Sequence, residues 1–176
     1  MTDKRDMDIT EIAYHLTKVC EILGLEYNDS TKDTPMRVAK MYYDEFFKNR
    51  NNSNIEELNS KMKLFSAEGY QGEIKVQNIE FHSVCEHHWL PFSGIANITY
   101  VPADNVIGLS KIPRVVKYFS QKPQLQERLT KEIGEYLYNV IKPLSIKVEL
   151  IATHTCVACR GAESDCETYT IFRKGE

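Results

Sequence analysis

The chain of 176 residues is 42% hydrophobic and 27% charged, which gives enough apolar material for one well-buried core in an ordinary globular protein. A formal net charge of −3 excludes a strongly basic nucleic-acid binder and leaves room for a local basic pocket that takes an anion. No stretch approaches the roughly eighteen consecutive apolar residues of a membrane-spanning helix, and the polar opening Met1-Thr2-Asp3-Lys4-Arg5-Asp6 offers no apolar signal region, so no membrane partner and a cytoplasmic location are expected.

The first predicted element is a helix over residues 8–24. Ile9, Ile12, Leu16, Val19 and Leu23 recur at helical spacing, Asp8 and Glu11 stand as an N-terminal capping pair, and Gly24 supplies the stop. His15 and Cys20 on this helix are read as structural or exposed. A second helix begins at Thr34-Pro35, with threonine as cap and proline in the first turn, and runs through Phe47. Arg37 and Lys40 are three apart on it and share a face. That spacing admits two readings: a solvated pair beside the Val38, Met41 and Tyr42 stripe, or a phosphate site near a helix start, where backbone donors and the helix dipole favour an anion. The run from Lys48 to Asn54 is polar and reads as a loop or linker.

Beyond it, residues 55–65 suggest a short helix and a crossover, and residues 73–81 a strand. The alternation of Ile74 and Val76 changes phase at Ile79 and Phe81, which a bulge near Gln77-Asn78 explains. Residues 94–101 give a partner strand with Ala96, Ile98 and Tyr100 on one face. Two helices follow, a short one over 112–119 and a longer one from Pro123 that carries Leu125, Leu129, Ile133, Leu137 and Val140 or Ile141, with Gln126 and Glu127 off its apolar stripe. Pro143 ends it; Ile146, Val148, Leu150 and Ala152 alternate as a third strand, and residues 168–173 form a fourth. The plan is α+β, an antiparallel four-stranded sheet with helices on one face and N-terminal helices added. Such a sheet leaves open edges that other subunits can close into a barrel.

Chemistry concentrates between the first and second strands and again after the third strand. Five cysteines are an odd number without the density of a disulfide scaffold, so metal ligation or buried thiols are expected. Cys85 and His88 have CxxH spacing, which aims a sulfur and a nitrogen at one point as tetrahedral zinc requires. The further donors lie downstream in His154-Thr155-Cys156-Val157-Ala158-Cys159, and a strand period of two puts His154 and Cys156 on the same side. Cys85, His88 and Cys156 alone leave an open, catalytic position; a fourth ligand such as Cys159 closes the site into a structural one. The zinc deaminases fit poorly, because Glu86 directly follows Cys85 and Thr155 precedes Cys156 where their signature needs other spacings. A nucleophilic cysteine beside a histidine is a further alternative.

Four ordered motifs together carry a specific resemblance: Cys85-Glu86-His87-His88 with Pro91-Phe92-Ser93-Gly94; Gly108-Leu109-Ser110-Lys111-Ile112; Gln124-Leu125-Gln126-Glu127-Arg128-Leu129-Thr130; and His154-Thr155-Cys156 with Arg160-Gly161. Over roughly Thr34 to Thr170 the chain resembles GTP cyclohydrolase I. The resemblance implies the tunnelling fold, with residues 1–60 as an N-terminal helical segment and 61–176 as the catalytic domain. Subunits would close into a β-barrel ring, and two rings would stack as a homodecamer with active sites between subunits. It implies conversion of GTP and water to formate and 7,8-dihydroneopterin triphosphate, the first step of pterin and folate, or of deazaguanine, biosynthesis. By motif position Cys85, His88 and Cys156 would hold Zn2+, and His87 and His154 would transfer protons. Ser110 and Lys111 would line the pocket, Gln126 and Glu127 would read the guanine edge, and Arg37, Lys40, Lys111, Arg114 and Arg160 would clamp the triphosphate. A zinc-activated water would attack C8 of the purine while an imidazole protonates the ring nitrogen. The thiol of Cys159 beside the presumed ligand is a departure from the motif pattern.

Overall fold

The computed structural model describes residues 3–175, which divide into two compact units, the first ending at Lys48 and the second beginning at Asn49. In the first, α1 (Lys4–Ile22) starts before the expected Asp8: the Asp3 carboxylate accepts from the Arg5 N–H at 3.4 Å and takes the cap position. Asp8 is instead inside the helix, where it accepts from Lys4 at 3.1 Å and from the Tyr43 hydroxyl at 3.0 Å. Gly24 does serve as the stop, since its φ of +67° lets the chain leave the helix without a Cβ penalty. Ile9 and Ala13 of α1 bury against Ala39 of α2 (Thr34–Met41), with Ile12, Leu16, Met36 and Tyr43 around them. Pro35 sits in the first turn of α2 as expected, with Asp33 rather than Thr34 at the cap position. The expected continuous helix to Phe47 changes pitch at Tyr42–Phe46, a single π-helical stretch.

The second unit runs α3 (Ile55–Ser60), β1 (Leu64–Ser66), β2 (Ile74–Cys85), β3 (Pro91–Val101), β4 (Asn105–Ile107), α4 (Lys111–Ser120), β5 (Pro123–Gln124), α5 (Gln126–Ile141), β6 (Ser145–His154), α6 (Thr155–Ala158) and β7 (Glu167–Gly175). Its main sheet has the order β5-β2-β3-β6-β7, antiparallel from β2 to β7, while β1 and β4 form a separate two-stranded ribbon. The four antiparallel strands are those expected. The bulge is present as well: the β2–β3 register shifts between Val76 and Ile79, with Asn78 at φ +58° and its N–H donating to Asn97 Oδ1 at 2.9 Å.

The start of the long helix also differs from the expected plan. Pro123 does not open the long helix; Pro123 and Gln124 pair in parallel with Val84 and Cys85, and α5 begins at Gln126. Helices lie on one face as expected: Ile112, Val115 and Val116 of α4 and Leu129, Ile133, Leu137 and Ile141 of α5 share one core with Phe81, Phe92, Ala96, Ile98, Tyr100, Val148 and Leu150. Burying each such side chain contributes roughly 2 kcal/mol of transfer free energy. Leu58 of α3 joins this core, and the second unit begins at Asn49. Among the described residues no helix is long and apolar enough to cross a membrane.

Candidate metal centre and active site

Cys85 is the last residue of β2 rather than a residue beyond it. The chain then turns through Glu86 to Leu90 and returns as β3. Cys85 N–H donates to Leu90 O at 2.9 Å, Trp89 N–H donates to Cys85 O at 2.9 Å, and Trp89 takes φ +53° to close the turn. On the other side Glu86 N–H donates to Gln124 O at 3.1 Å, so the short β5 braces the loop. The result is a buried thiol on a sheet end with two exposed imidazoles next to it.

Strand alternation is not what brings Cys156 to that thiol. β6 ends at His154 and α6 begins at Thr155, so the chain reverses before Cys156. The Thr155 hydroxyl donates to Pro91 O at 2.6 Å and ties the reversal to the start of β3. Ligand atoms of Cys85, His88 and Cys156 then lie within 4.8 Å of one another. His88 Nδ1 is 3.8 Å and His87 Nδ1 3.7 Å from Cys85 Sγ. Cys159 does not join the group; its exposed thiol donates back to Thr155 O at 2.8 Å. Burial, and then the hydrogen bond and charge of Cys85, push the Cys156 thiol above its ordinary pKa. Two thiolates side by side repel, and a cation between them removes that cost. The donor set therefore fits a soft divalent metal.

His154 stacks on Phe92, ring centroids 4.4 Å apart and planes 9° from parallel. Burial lowers its pKa below the ordinary histidine value, opposed by the nearby Glu127 carboxylate. Its Nε2 is 2.9 Å from Gln126 Oε1. Gln126 is 2% exposed, and its amide donates to Leu150 O at 3.2 Å, Thr168 O at 2.8 Å and Thr170 Oγ1 at 3.1 Å. The amide expected to face a substrate is thus spent inside the fold. Glu127, next along α5, is exposed.

The remaining expected residues are less tightly gathered. Arg160 donates from Nη1 to His88 Nε2 at 3.0 Å, which places a guanidinium on the metal-ligand loop. Ser110 holds the cap position of α4 and is exposed, as is Arg114, while Lys111 is half-buried; among the described residues no hydrogen bond or ion pair joins these three to the cysteine and histidine group. Arg37 and Lys40 are exposed on α2 in the first unit, with the Arg37 guanidinium 3.9 Å from Asp33.

Two contacts were missed. Arg128 forks onto Glu86 with bonds of 2.6 and 2.9 Å, clamping the ligand loop to α5 and holding the Glu86 carboxyl below the usual range. Buried Lys122 and Gln124 form a second network with half-buried Glu132, Lys122 Nζ 3.0 Å and Gln124 Nε2 2.7 Å from its carboxylate. The available signal was charge of opposite sign inside two of the motifs, Glu86 beside Cys85 and Arg128 beside Gln126.

Comparison with known proteins places these features in a family. The family model described as GTP cyclohydrolase I matches residues 12–176. The protein named GTP cyclohydrolase 1 of Yersinia enterocolitica is 40% identical over 170 residues, covering 94% of this chain and 74% of its own length. That of Pectobacterium carotovorum is 39% identical over 175 residues, 97% of this chain and 77% of its own. That of a Shewanella species, strain ANA-3, is 37% identical over 169 residues, 94% and 76% respectively. Among solved structures, the archaeosine synthase QueF-Like in its apo form superposes with a TM-score of 0.51 at 16% identity, covering 59% of this chain and 94% of that one. At that identity the likeness concerns the fold, which is the tunnelling fold.

Proposed function

The chain belongs to the GTP cyclohydrolase I family and is an enzyme of that activity, and from this premise we propose that it converts GTP and water to formate and 7,8-dihydroneopterin triphosphate at a zinc centre held by Cys85, His88 and Cys156. The observation that supports the zinc assignment is the convergence of these three donors within 4.8 Å. Two thiols and one imidazole suit zinc, and three ligands without Cys159 match a catalytic site rather than a closed structural one. Bound there, zinc supplies a Lewis acid and brings the pKa of a coordinated water toward 7.

The chain's own groups account for the rest. His154, stacked on Phe92, and His87, exposed beside the ligands, carry protons to and from the purine ring as C8 is attacked and the ring opens. Glu127 accepts hydrogen bonds from guanine N1 and the 2-amino group, a pattern that adenine does not offer. Ser110 and Lys111 line the pocket. Arg160, Lys111 and Arg114 meet the triphosphate, the arginines as forks and the lysine as a point charge. A part for Arg37 and Lys40 rests on the family pattern alone.

Open edges at β5 and β7 support assembly, with Tyr169 and Ile171 of β7 exposed. We extend the proposal to a homodecameric ring pair with sites between subunits, in which Ser110, Lys111 and Arg114 of one subunit complete the site of another. Five free cysteines suit a reducing, cytoplasmic compartment.

Incubation of the purified protein with GTP, assaying formate and the fluorescent oxidised pterin, tests the reading. Equal yields of the two products are expected. Comparable turnover of ATP would remove the guanine-reading role of Glu127.

A further inference from the structure

The side chain of Gln126 has both ends committed, and the two commitments are not equivalent. Its nitrogen faces the Leu150 and Thr168 carbonyls at 3.2 and 2.8 Å. Both are acceptors only, so the amide cannot flip without setting oxygen against oxygen. The hydroxyls agree. Thr130 Oγ1 donates to Gln126 O at 2.7 Å; Thr170 therefore donates to Thr130 across their 2.6 Å contact and accepts from the Gln126 amide at 3.1 Å. Two strands, β6 and β7, and the first turn of α5 thus fix which end of the amide is oxygen. That oxygen lies 2.9 Å from His154 Nε2. An oxygen acceptor at that distance requires a proton on the nitrogen, so Nε2 keeps its hydrogen and Nδ1 is the atom that offers a lone pair when the ring has one. Stacking on Phe92 at 4.4 Å fixes the ring plane as well.

We propose that Gln126 is a positioning residue: pinned by the carbonyls of Leu150 and Thr168, it holds His154 as the Nε2–H tautomer and leaves Nδ1 as the proton-accepting atom. The proposal rests on His154 acting in the reaction above, and it replaces direct contact of Gln126 with the guanine. Substrate need not touch Gln126 for Gln126 to govern turnover, because the wrong tautomer presents a hydrogen where the reaction needs a lone pair.

The test compares Gln126→Met with Gln126→Glu in [15N]histidine-labelled protein at pH 8, with the His154 signals assigned by their loss in His154→Ala. Both substitutions remove the amide hydrogens that serve Leu150 and Thr168, but only glutamate keeps an acceptor for Nε2–H. In the wild type, His154 should show a protonated-type Nε2 and an unprotonated-type Nδ1. Gln126→Met should mix the tautomers and lower kcat on the order of a hundredfold with KM for GTP changed less than about threefold, whereas Gln126→Glu should keep the Nε2–H form and recover about tenfold of that loss. Equal impairment of the two folded variants with the wild-type tautomer in both would mean that Gln126 is only structural, and would overturn the proposal. Where neither variant folds, the wild-type spectrum decides alone, since an Nδ1–H form overturns it. Failure of the GTP reading is told apart because it abolishes formate release in the wild type and leaves the tautomer where it is.

Discussion

His154 and Cys156 stand two positions apart, one ring held against Phe92 and Gln126, one thiol turned to Cys85, and the proposed function divides the chemistry between them. The division is open to direct test. Cys156→Ala should lose both zinc and turnover, while His154→Ala should keep its zinc and lose on the order of a hundredfold or more in kcat. Metal analysis by mass spectrometry alongside formate release checks both, and zinc depletion in the His154 variant would merge the two roles. Cys85 and His88 were legible as partners because their spacing is local. Strand alternation from His154 pointed to the thiol that lies beside Cys85, but alternation is not what places it there, since the chain turns into α6 at Thr155. The burial of Gln126 was not legible at all. Its partners are backbone carbonyls on β6 and on β7, and no residue type in the sequence marks which carbonyls a fold will aim at one amide.

At the scale of elements, the site is a junction where the end of β2, the start of β3, the end of β6 and the first turn of α5 meet. Gly94 of β3 is required for this: a Cβ there would lie 1.9 Å from Ile151 O and 2.7 Å from Ala152 Cα on the paired strand β6. Gly94→Ala should force the strands apart beside the His154 end and destabilise by about 3 kcal/mol, read as a lowered urea midpoint at matched protein concentration. The Glu86–Arg128 fork ties the ligand loop to α5, and both partners are partly solvated. Arg128→Ala should therefore weaken zinc by about fivefold, equivalent to ~1 kcal/mol of tether, measured by competition with a chromogenic chelator. On β6, the Tyr169 hydroxyl first, and then Lys147, hold the Glu149 carboxyl below its usual range. A folded value below the unfolded one means stability that is present above about pH 4.3, the unfolded glutamate value, and lost as pH falls through the lowered folded one. Glu149→Gln should flatten the urea midpoint across that interval. The regular elements were legible because their periods run for many residues. β5 was not, since Pro123 and Gln124 together give no alternation to read, and Pro123 is as good a helix opener as a strand end.

For the whole molecule, the sheet ends in two unlike edges. One is β5, a two-residue strand; the other is β7, nine residues long with Tyr169 and Ile171 exposed. A long exposed edge of this kind asks for a partner strand, and another subunit of the proposed ring supplies it. The tunnelling fold was legible through four motifs in order. Which cationic residues would belong to which subunit's site was not, because in the proposed assembly that depends on how subunits close together rather than on any single chain. The three-donor group sits where β2 ends, and β7 carries the long edge of the sheet. The measurement that bears most directly on the central claim is formate release from GTP by the purified protein before chelation, after it and after zinc is restored, with the oligomer followed in parallel by sedimentation. One formate per GTP, abolished by chelation, recovered with zinc and accompanied by an oligomer that persists throughout, is the expected result. Formate release that survives chelation, or an intact zinc-loaded oligomer that yields none, would contradict it.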